Sequence, residues 1–438
     1  MRGRRRGASR PLTWLLVAQA ISLTGSRVSF IAVPWLVLET TGSAAQTGLV
    51  AFAEMLPYVL ACALGGPIID QRGPRRMSIH ADAASVVVVS VVPLLYRVDL
   101  LPLGALLAVI AVAGALRGFG DTAKRAIFPL AVEVSDVDMT RATGLHDGVD
   151  RLTYLLGGAL GGALIAWLGP ANVLLFDAAS FSLAALVVTA KVRVALAAQA
   201  VDEREPYGAA LRAGFRYVRQ DRLLLAIVLA VLATNLLDQA YFGVFVPVWV
   251  HEVLDSPRAL GLVFGAFGLG AVLGNLVFTA LAPRLPRFAT FSICFFLAGA
   301  PHILVMSMTD SVVVVAITVL ASGLLGAAIN PTLAAVIYER IPRHLQARVL
   351  GLLRAVGWAG IPLGGLLGGL LVEGLGLRAA LGLVGSLYLL VTVVPFVMPA
   401  WREIDARQPT QLAGRDSALD ATATALPSPP LAGTPVDR

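Results

Sequence analysis

Residues 33–50, VPWLVLETTGSAAQTGLV, return at 246–263 as VPVWVHEVLDSPRALGLV, a constant 213 positions later. Pro34 and Pro247 coincide, as do Glu39 and Glu252, Ser43 and Ser256, and Gly48-Leu49-Val50 with Gly261-Leu262-Val263. Further on, Arg141-Ala142-Thr143-Gly144-Leu145 matches Arg348-Val349-Leu350-Gly351-Leu352, and Gly157-Gly158-Ala159-Leu160-Gly161-Gly162 matches Gly364-Gly365-Leu366-Leu367-Gly368-Gly369, now 207 positions apart. Six residues lost from the intervening loops account for the change. The first half of the chain therefore recurs as the second, in the same orientation.

The setting of this repeat is a lipid bilayer. Of the 438 residues, 57% are hydrophobic and 14% charged, and the apolar ones fall in blocks long enough to cross a membrane. A soluble fold needs helices with a polar face or strands of alternating polarity, and stretches such as 85–95 and 100–115 offer neither. Cys62 and Cys294 lie inside apolar blocks, where a thiol acts as a small hydrophobe, so neither a disulfide framework nor a metal site is expected. The five histidines are scattered without ligand spacing.

Blocks of about 20 apolar residues between charged or Pro/Gly breaks predict spans at 12–38, 46–69, 77–96, 101–131, 142–168, 172–190, 223–250, 258–282, 288–308, 311–335, 347–372 and 378–399. Twelve spans put both ends of the chain on one side. The segments on that side hold 27 Lys and Arg, among them five in 1–11, three in 70–76 and three in 124–141; the opposite loops hold Arg97, Arg258 and Arg378. Basic residues concentrate on the cytoplasmic side of a membrane, so both termini are expected in the cytoplasm. The same rule explains the net charge of +7 and the MRGRRRG start without nucleic acid. Trp35, Trp167 and Trp249 are expected at the outer interface and Trp14 and Trp401 at the inner one, as an aromatic belt. The first span resembles a signal peptide, but its partnership with the seventh span predicts retention in the mature protein. The organisation expected is a basic tail at 1–11, a six-helix bundle at 12–190, a charged cytoplasmic linker at 191–222, a second bundle at 223–400, and a Pro- and Ala-rich disordered tail at 401–438.

Between the second and third spans stands GGPIIDQRGPRR, residues 65–76. Its Gly66, Asp70, Gly73, Arg75 and Arg76 resemble motif A of the major facilitator superfamily, and the twelve spans in two parallel halves extend the resemblance over nearly the whole chain. In physical terms Gly66 would let the second helix pack closely on a neighbour and Gly73 would allow the tight turn. Asp70 would hold a facing helix N-terminus or a nearby arginine when the cytoplasmic side closes. The equivalent stretch of the second half, TALAPRLPRF at 279–288, has neither the aspartate nor the glycines. ALRGFGD places Arg117 in mid-span, as motif B of proton-coupled exporters does. Gly157, Gly158, Gly161 and Gly162 resemble the glycine-rich antiporter motif of the fifth helix, with Gly158 where that motif has proline. The sequence is most similar to the siderophore- and macrolide-exporting branch. A pair of close-packing glycine surfaces is the plain structural reading of the same residues.

Ionised groups cost about 2.5–3.5 kcal/mol each at mid-bilayer, so those present should face one another or a wet cavity. Glu54, Asp150, Asp238 and Arg117 are the candidates for proton coupling, with Glu54 first because its own helix carries no charge within a turn. Arg27 and Arg354 are candidates either to bind an anionic substrate or to neutralise Glu54 and the aspartates, and Asp147 and Arg151, four residues apart, either to pair within their helix or to act in transport. The first span carries Gln19, Ser22, Ser26 and Ser29 at helical spacing and the seventh Asn235, Asp238, Gln239 and Phe242; the repeat matches Ser22 with Asn235 and Ser26 with Gln239, which predicts a central cavity between the two stripes. Arg27, Tyr58, Arg354 and Trp358 complete the cavity candidates.

These residues imply an all-α, polytopic transporter of two pseudo-symmetric six-helix bundles, not an enzyme, that works by alternating access. The resemblance implies export of a small amphiphilic compound, a drug, macrolide-like metabolite or siderophore, driven by a proton gradient with no cofactor. A same-fold importer and a non-transporting membrane sensor are the alternatives. There is no GxxxxGK[ST] loop for ATP. The expected partners are the small-molecule substrate and the bilayer of a bacterial cytoplasmic membrane, with no nucleic acid, and the expected state is a monomer.

Overall fold

The computed structural model describes residues 10–192, 215–342 and 345–405, helical throughout apart from short connections, with no strand among them. The basic start, most of the 191–222 linker and the tail beyond 405 lie outside the described residues. Twelve helices are long and apolar enough to span a membrane. In the first half these are α1 (Pro11–Thr41), α2 (Ala44–Leu64), α3 (Pro74–Arg97), α4 (Leu103–Ser135), α5 (Arg141–Leu168) and α6 (Pro170–Lys191). In the second they are α7 (Arg222–Leu254), α8 (Pro257–Arg284), α9 (Arg287–Met308), α10 (Val312–Arg340), α11 (Val349–Leu375) and α12 (Leu377–Val397). The two ends of the described chain share one face of the bundle, called here the terminal face; the other is the far face.

Each pair of neighbours in the first half has its counterpart in the second. α1 packs on α5 and α6 as α7 packs on α11 and α12, and α2 packs on α4 as α8 packs on α10. The two largest contacts between the halves are α5 with α8 and α2 with α11. Both are made by glycine, because without side chains two helices in an apolar solvent gain close backbone contact. A Cβ on Gly162 would lie 2.5 Å from the Gly261 Cα, and one on Gly369 3.0 Å from the Gly48 Cα. Gly48 and Gly261 are the repeat partners, so one contact is the image of the other.

The glycine motif of α5 serves two faces at once. Gly157 and Gly161 admit Arg27 and Ile31 of α1, while Gly158 and Gly162 abut Phe264, Gly265 and Gly261 of α8. In α11, Gly364 and Gly368 face α7 and Gly365 and Gly369 face α2. These contacts lie toward the far face, where Trp35, Leu36, Tyr241, Phe245 and Trp249 also fill the space between α1 and α7. Toward the terminal face the halves separate, and a Cβ on Gly144, Gly148 or Gly351 would meet nothing within 4 Å. The structure is thus closed at the far face and open at the terminal one.

Three tryptophans depart from the expected belt. Trp35 and Trp249 are 1% exposed and Trp401 is fully buried, whereas Trp167 is 81% exposed. The ring of Trp35 meets His251 at 5.3 Å and its indole N–H donates to Glu39 at 2.5 Å. Trp401 stacks on Phe291 at 5.2 Å. Position along a span gives depth but not direction, and these rings point into the bundle rather than toward lipid.

Three helices of the second half are interrupted. α7 passes through π-helical turns at Tyr241–Phe245 and Val250–Leu254, α10 breaks at residues 327–328, and α11 breaks at Ala359. Pro247, Pro331 and Pro362 lack the N–H that would bond the carbonyls of Gly243, Ala327 and Trp358, at or beside each interruption, although Pro34 in α1 and Pro129 in α4 leave those helices continuous. The first-half counterparts α1, α4 and α5 run without a break.

Replacing Gly162 with valine should push α5 off α8, an overpacking cost of about 1–3 kcal/mol. A cysteine introduced at Ser26, in a variant lacking Cys62 and Cys294, should then react roughly tenfold faster with an impermeant thiol reagent added at the far face. An unchanged labelling rate would show that the glycine contact does not hold that face shut.

Candidate functional site

The separation of the halves leaves a central cavity of about 660 Å³ that continues into a second recess of about 550 Å³ beside α7, α9, α10 and α12. Asp150, Tyr154, Asn235, Asp238, Phe242 and Phe267 line both. Of the residues expected there, Gln19, Ser26, Arg27, Tyr58, Asn235, Gln239, Phe242 and Trp358 face the central cavity, as do Arg117, Asp150 and Asp238. Glu54 stands behind that wall, and Ser22 is buried beneath it.

Glu54 meets the cavity through Arg117. Gly114 and Gly118, one turn apart on α4, bring its backbone against the carbonyls of Glu54 and Tyr58 on α2. With the helices this close, the Arg117 Nη2 lies 2.8 Å from the Glu54 Oε1, and the side chains are 13% and 11% exposed. Two ionised groups in so little water need each other. Arg27, the partner considered for Glu54 from the sequence, is elsewhere: its guanidinium lies 3.6 Å from the centre of the Tyr154 ring, beside Gly157. α1 presents Arg27 to α5 rather than to α2, which a linear sequence does not disclose.

A second buried ion pair escaped the sequence reading. Lys124 of α4 donates to Asp82 of α3 at 2.9 Å and to the Ser22 hydroxyl of α1 at 3.1 Å, with Lys124 and Asp82 4% and 3% exposed. Counting Lys124 among the loop basics was therefore mistaken. It lies inside the expected 101–131 span, and that alone marked it for a buried partner. Asp177 of α6 was missed as well; it accepts from Ser29 of α1 at 2.6 Å and from Ser180 at 3.3 Å. Gly25 makes room for Ser180 and Asp177 against α1. The Ser22 and Ser29 positions of the predicted polar stripe thus tie helices together, whereas Ser26 faces the cavity.

Nearer the terminal face, Gln19 reaches His146 at 2.9 Å and donates to Asp150 at 3.3 Å. Asp147 does not pair with Arg151 within the helix; its ionic neighbour is His146 at 3.9 Å, and Arg151 turns to the Ala271 carbonyl across the α5–α8 contact. In the second half Asn235 donates to the Gly357 carbonyl at 2.8 Å, next to the break in α11. Asp238 lies beside Tyr388 and is the only charged residue that the second half contributes to either cavity lining. Arg354 is set back from the lining but reaches the Trp358 ring at 5.6 Å.

The loop resembling motif A forms a short helix, Gly66–Arg72, ended by Gly73 at φ 82°. That positive φ is the reason for glycine there. Gly66 itself touches nothing within 4 Å of a would-be Cβ, so it does not make the close helix contact expected of it; Gly65 does, against Phe119 of α4. Asp70 and Arg76 are exposed. Arg75 donates to the carbonyls of Val192 at 2.7 Å and Thr189 at 2.6 Å, capping the end of α6, where helix carbonyls lack partners.

A bundle of twelve spans with paired charges about a central cavity defines a membrane transporter. The sequence profile of the transmembrane secretion effector family matches residues 8–421. The chain belongs to this family, within the major facilitator superfamily. It is 30% identical to the multidrug efflux pump Tap of Mycobacterium tuberculosis over 410 residues, 92% of this chain and 96% of that one. It is 20% identical to macrolide efflux protein A of Streptococcus pyogenes over 397 residues, 89% and 96% of the two chains. Among solved structures, a mutant of the nucleoside transporter NupG superposes with a TM-score of 0.74 at 12% identity, covering 89% of this chain and 99% of that one. The protein is thus a multi-pass membrane transporter, not an enzyme.

Lys124→Met should leave Asp82 as an unpaired buried charge and cost about 3–5 kcal/mol. Adding Asp82→Leu should recover most of the loss. Thermal unfolding in detergent reads both, and a single substitution costing under about 1 kcal/mol would show that the pair is not buried as described.

Proposed function

We propose that the protein exports a small amphiphilic organic compound in exchange for protons, from a bacterial cytoplasmic membrane in which both termini lie in the cytoplasm. The two relatives just named are efflux proteins over almost their full length, and the excess of basic residues on the terminal face supports the orientation. In that orientation the open cavity faces the cytoplasm, where an export cargo enters.

The observation that carries proton coupling is the Glu54–Arg117 pair at 2.8 Å, buried but with Arg117 on the cavity. As an ion pair, Glu54 holds no proton, which suits a state open to the cytoplasm after proton release. When the cavity opens to the far face, a proton taken up by Glu54 removes the charge that holds Arg117. Arg117 is then free to seek another anion, and the packing between α2 and α4 changes with the proton. Alternating access follows if α2, bearing Glu54 at its middle and the Gly48 contact at its far end, moves against α11. Asp150 and Asp238, both on the cavity, are the secondary carboxylates for the same task.

Cells making the protein should withstand more of at least one macrolide or other amphiphilic antibiotic than cells without it, with the larger advantage at the lower external pH. Glu54→Gln, made to the same level, should lose the pH dependence and at least about tenfold of the uphill efflux. Vesicles should retain substrate counterflow, which needs no proton. Full pH-dependent protection by the Glu54→Gln protein would remove Glu54 from the coupling.

A further inference from the structure

Not every basic group on the cavity is paired. Arg117 and Lys124 have carboxylate partners within 2.9 Å, but Arg27, Arg125 and Arg354 have none at ion-pair distance among the described residues. Arg125 is the most telling. Asp121 precedes it by one turn of α4, yet the guanidinium turns away and lies 5.5 Å from the centre of the Trp358 ring. Asp121 instead accepts from the Tyr58 hydroxyl at 3.1 Å. From the other half, Arg354 approaches the same ring at 5.6 Å. Tyr58 stacks on that indole, with ring centres 6.5 Å apart and planes 18° from parallel. One aromatic platform therefore collects two like charges, one from each half of the protein; both residues are exposed, Arg125 on the cavity lining and Arg354 set just behind it.

Like charges with no carboxylate at ion-pair distance repel, and a guanidinium offers a planar fork that suits an oxyanion. The backbone supplies the complementary feature. α11 is interrupted at Ala359, just after Trp358, and its remainder from Gly360 is locked by glycines against α7 and α2. The segment Gln346–Trp358 carries Arg354 on the other side of that break; it packs on α7 through Val349 and Leu353, while on its opposite side a Cβ on Gly351 would meet nothing within 4 Å.

We infer that Arg125 and Arg354 form an oxyanion clamp between the two halves, which takes the carboxylate of an organic amphiphile while Trp358 and Tyr58 hold its apolar body. Without an anion the two charges keep α4 and the first segment of α11 apart, and the cavity stays open at the terminal face. A carboxylate between them replaces repulsion by attraction on both sides and draws that segment toward α4 about the break at Ala359. Cargo binding and closure of the terminal face then become the same event. The inference rests on the cavity being the cargo route, and is independent of proton coupling through Glu54.

The test uses the full-length protein, without native cysteines, in nanodiscs of phosphatidylcholine, which carries no net charge and so excludes an anionic lipid as the source of the oxyanion. Spin labels at Glu133 of α4 and Gly351 of α11 report their separation by double electron–electron resonance, with no proton gradient applied. 2-Naphthoate should shift the distribution to shorter distances, and the uncharged 2-naphthamide should not. Arg125→Gln or Arg354→Gln should raise the naphthoate concentration needed for half the shift by at least about tenfold, the loss expected for one charge-assisted contact. The double Arg→Lys variant, which keeps the charge, should still respond, at a higher concentration. Both arginines are exposed, so the folded state should survive these changes, as an unaltered thermal unfolding curve would show. A separation indifferent to naphthoate, an equal response to the amide, or Gln variants that respond like the parent would each overturn the clamp. Because no gradient enters, such a result would leave the proton-exchange reading standing.

Discussion

An ionised side chain in the hydrocarbon of a bilayer must find either an opposite charge or water. Everything distinctive in the first half of this protein answers that demand. Glu54 and Arg117 join α2 to α4, Lys124 and Asp82 join α4 to α3 with Ser22 of α1, and Asp177 is held by hydroxyls between α1 and α6. The charges without partners stand on the cavity, where water reaches them. The cavity is thus a condition for the charges, and the charges are what give it chemistry.

The two halves share a fold but divide the work. The first half carries nearly all the ionic groups of the cavity on α1, α4 and α5, which run without a break. The second half contributes one charge, Asp238, and places its interruptions in the counterpart helices α7, α10 and α11. A rigid charged wall thereby faces a wall with joints. Glycine pairs repeated by the pseudo-symmetry close the far face together with the aromatic and aliphatic side chains between α1 and α7, and each glycine contact is the geometric image of the other.

The architecture was legible from the chain because spans and repeats are properties of composition and spacing. The predicted second span ran to 69 and the helix ends at Leu64, since Gly65 starts a separate turn; otherwise the spans agree to within about five residues. Partnerships were not legible. Nothing in the spacing shows that α1 turns Arg27 toward Tyr154 and leaves Glu54 to Arg117, although the Gly114 and Gly118 pair one turn apart was a signal that α4 packs closely on some neighbour. Asp82 and Asp177 were not among the residues singled out from the sequence, and only the third dimension supplies their partners Lys124 and Ser29. Trp35, Trp249 and Trp401 were misplaced for a related reason: depth in the membrane follows from position, but the direction of a side chain follows from packing.

The account stands on Glu54 and Arg117 acting as one buried ionic unit. A double-mutant cycle measures this directly, with Glu54→Gln, Arg117→Gln and the double variant compared by unfolding in nanodiscs. The pair as described predicts a coupling of about 1–3 kcal/mol, with the double variant less damaged than the two single effects together. Strict additivity of the two substitutions would contradict it, because it would mean that each side chain is satisfied without the other.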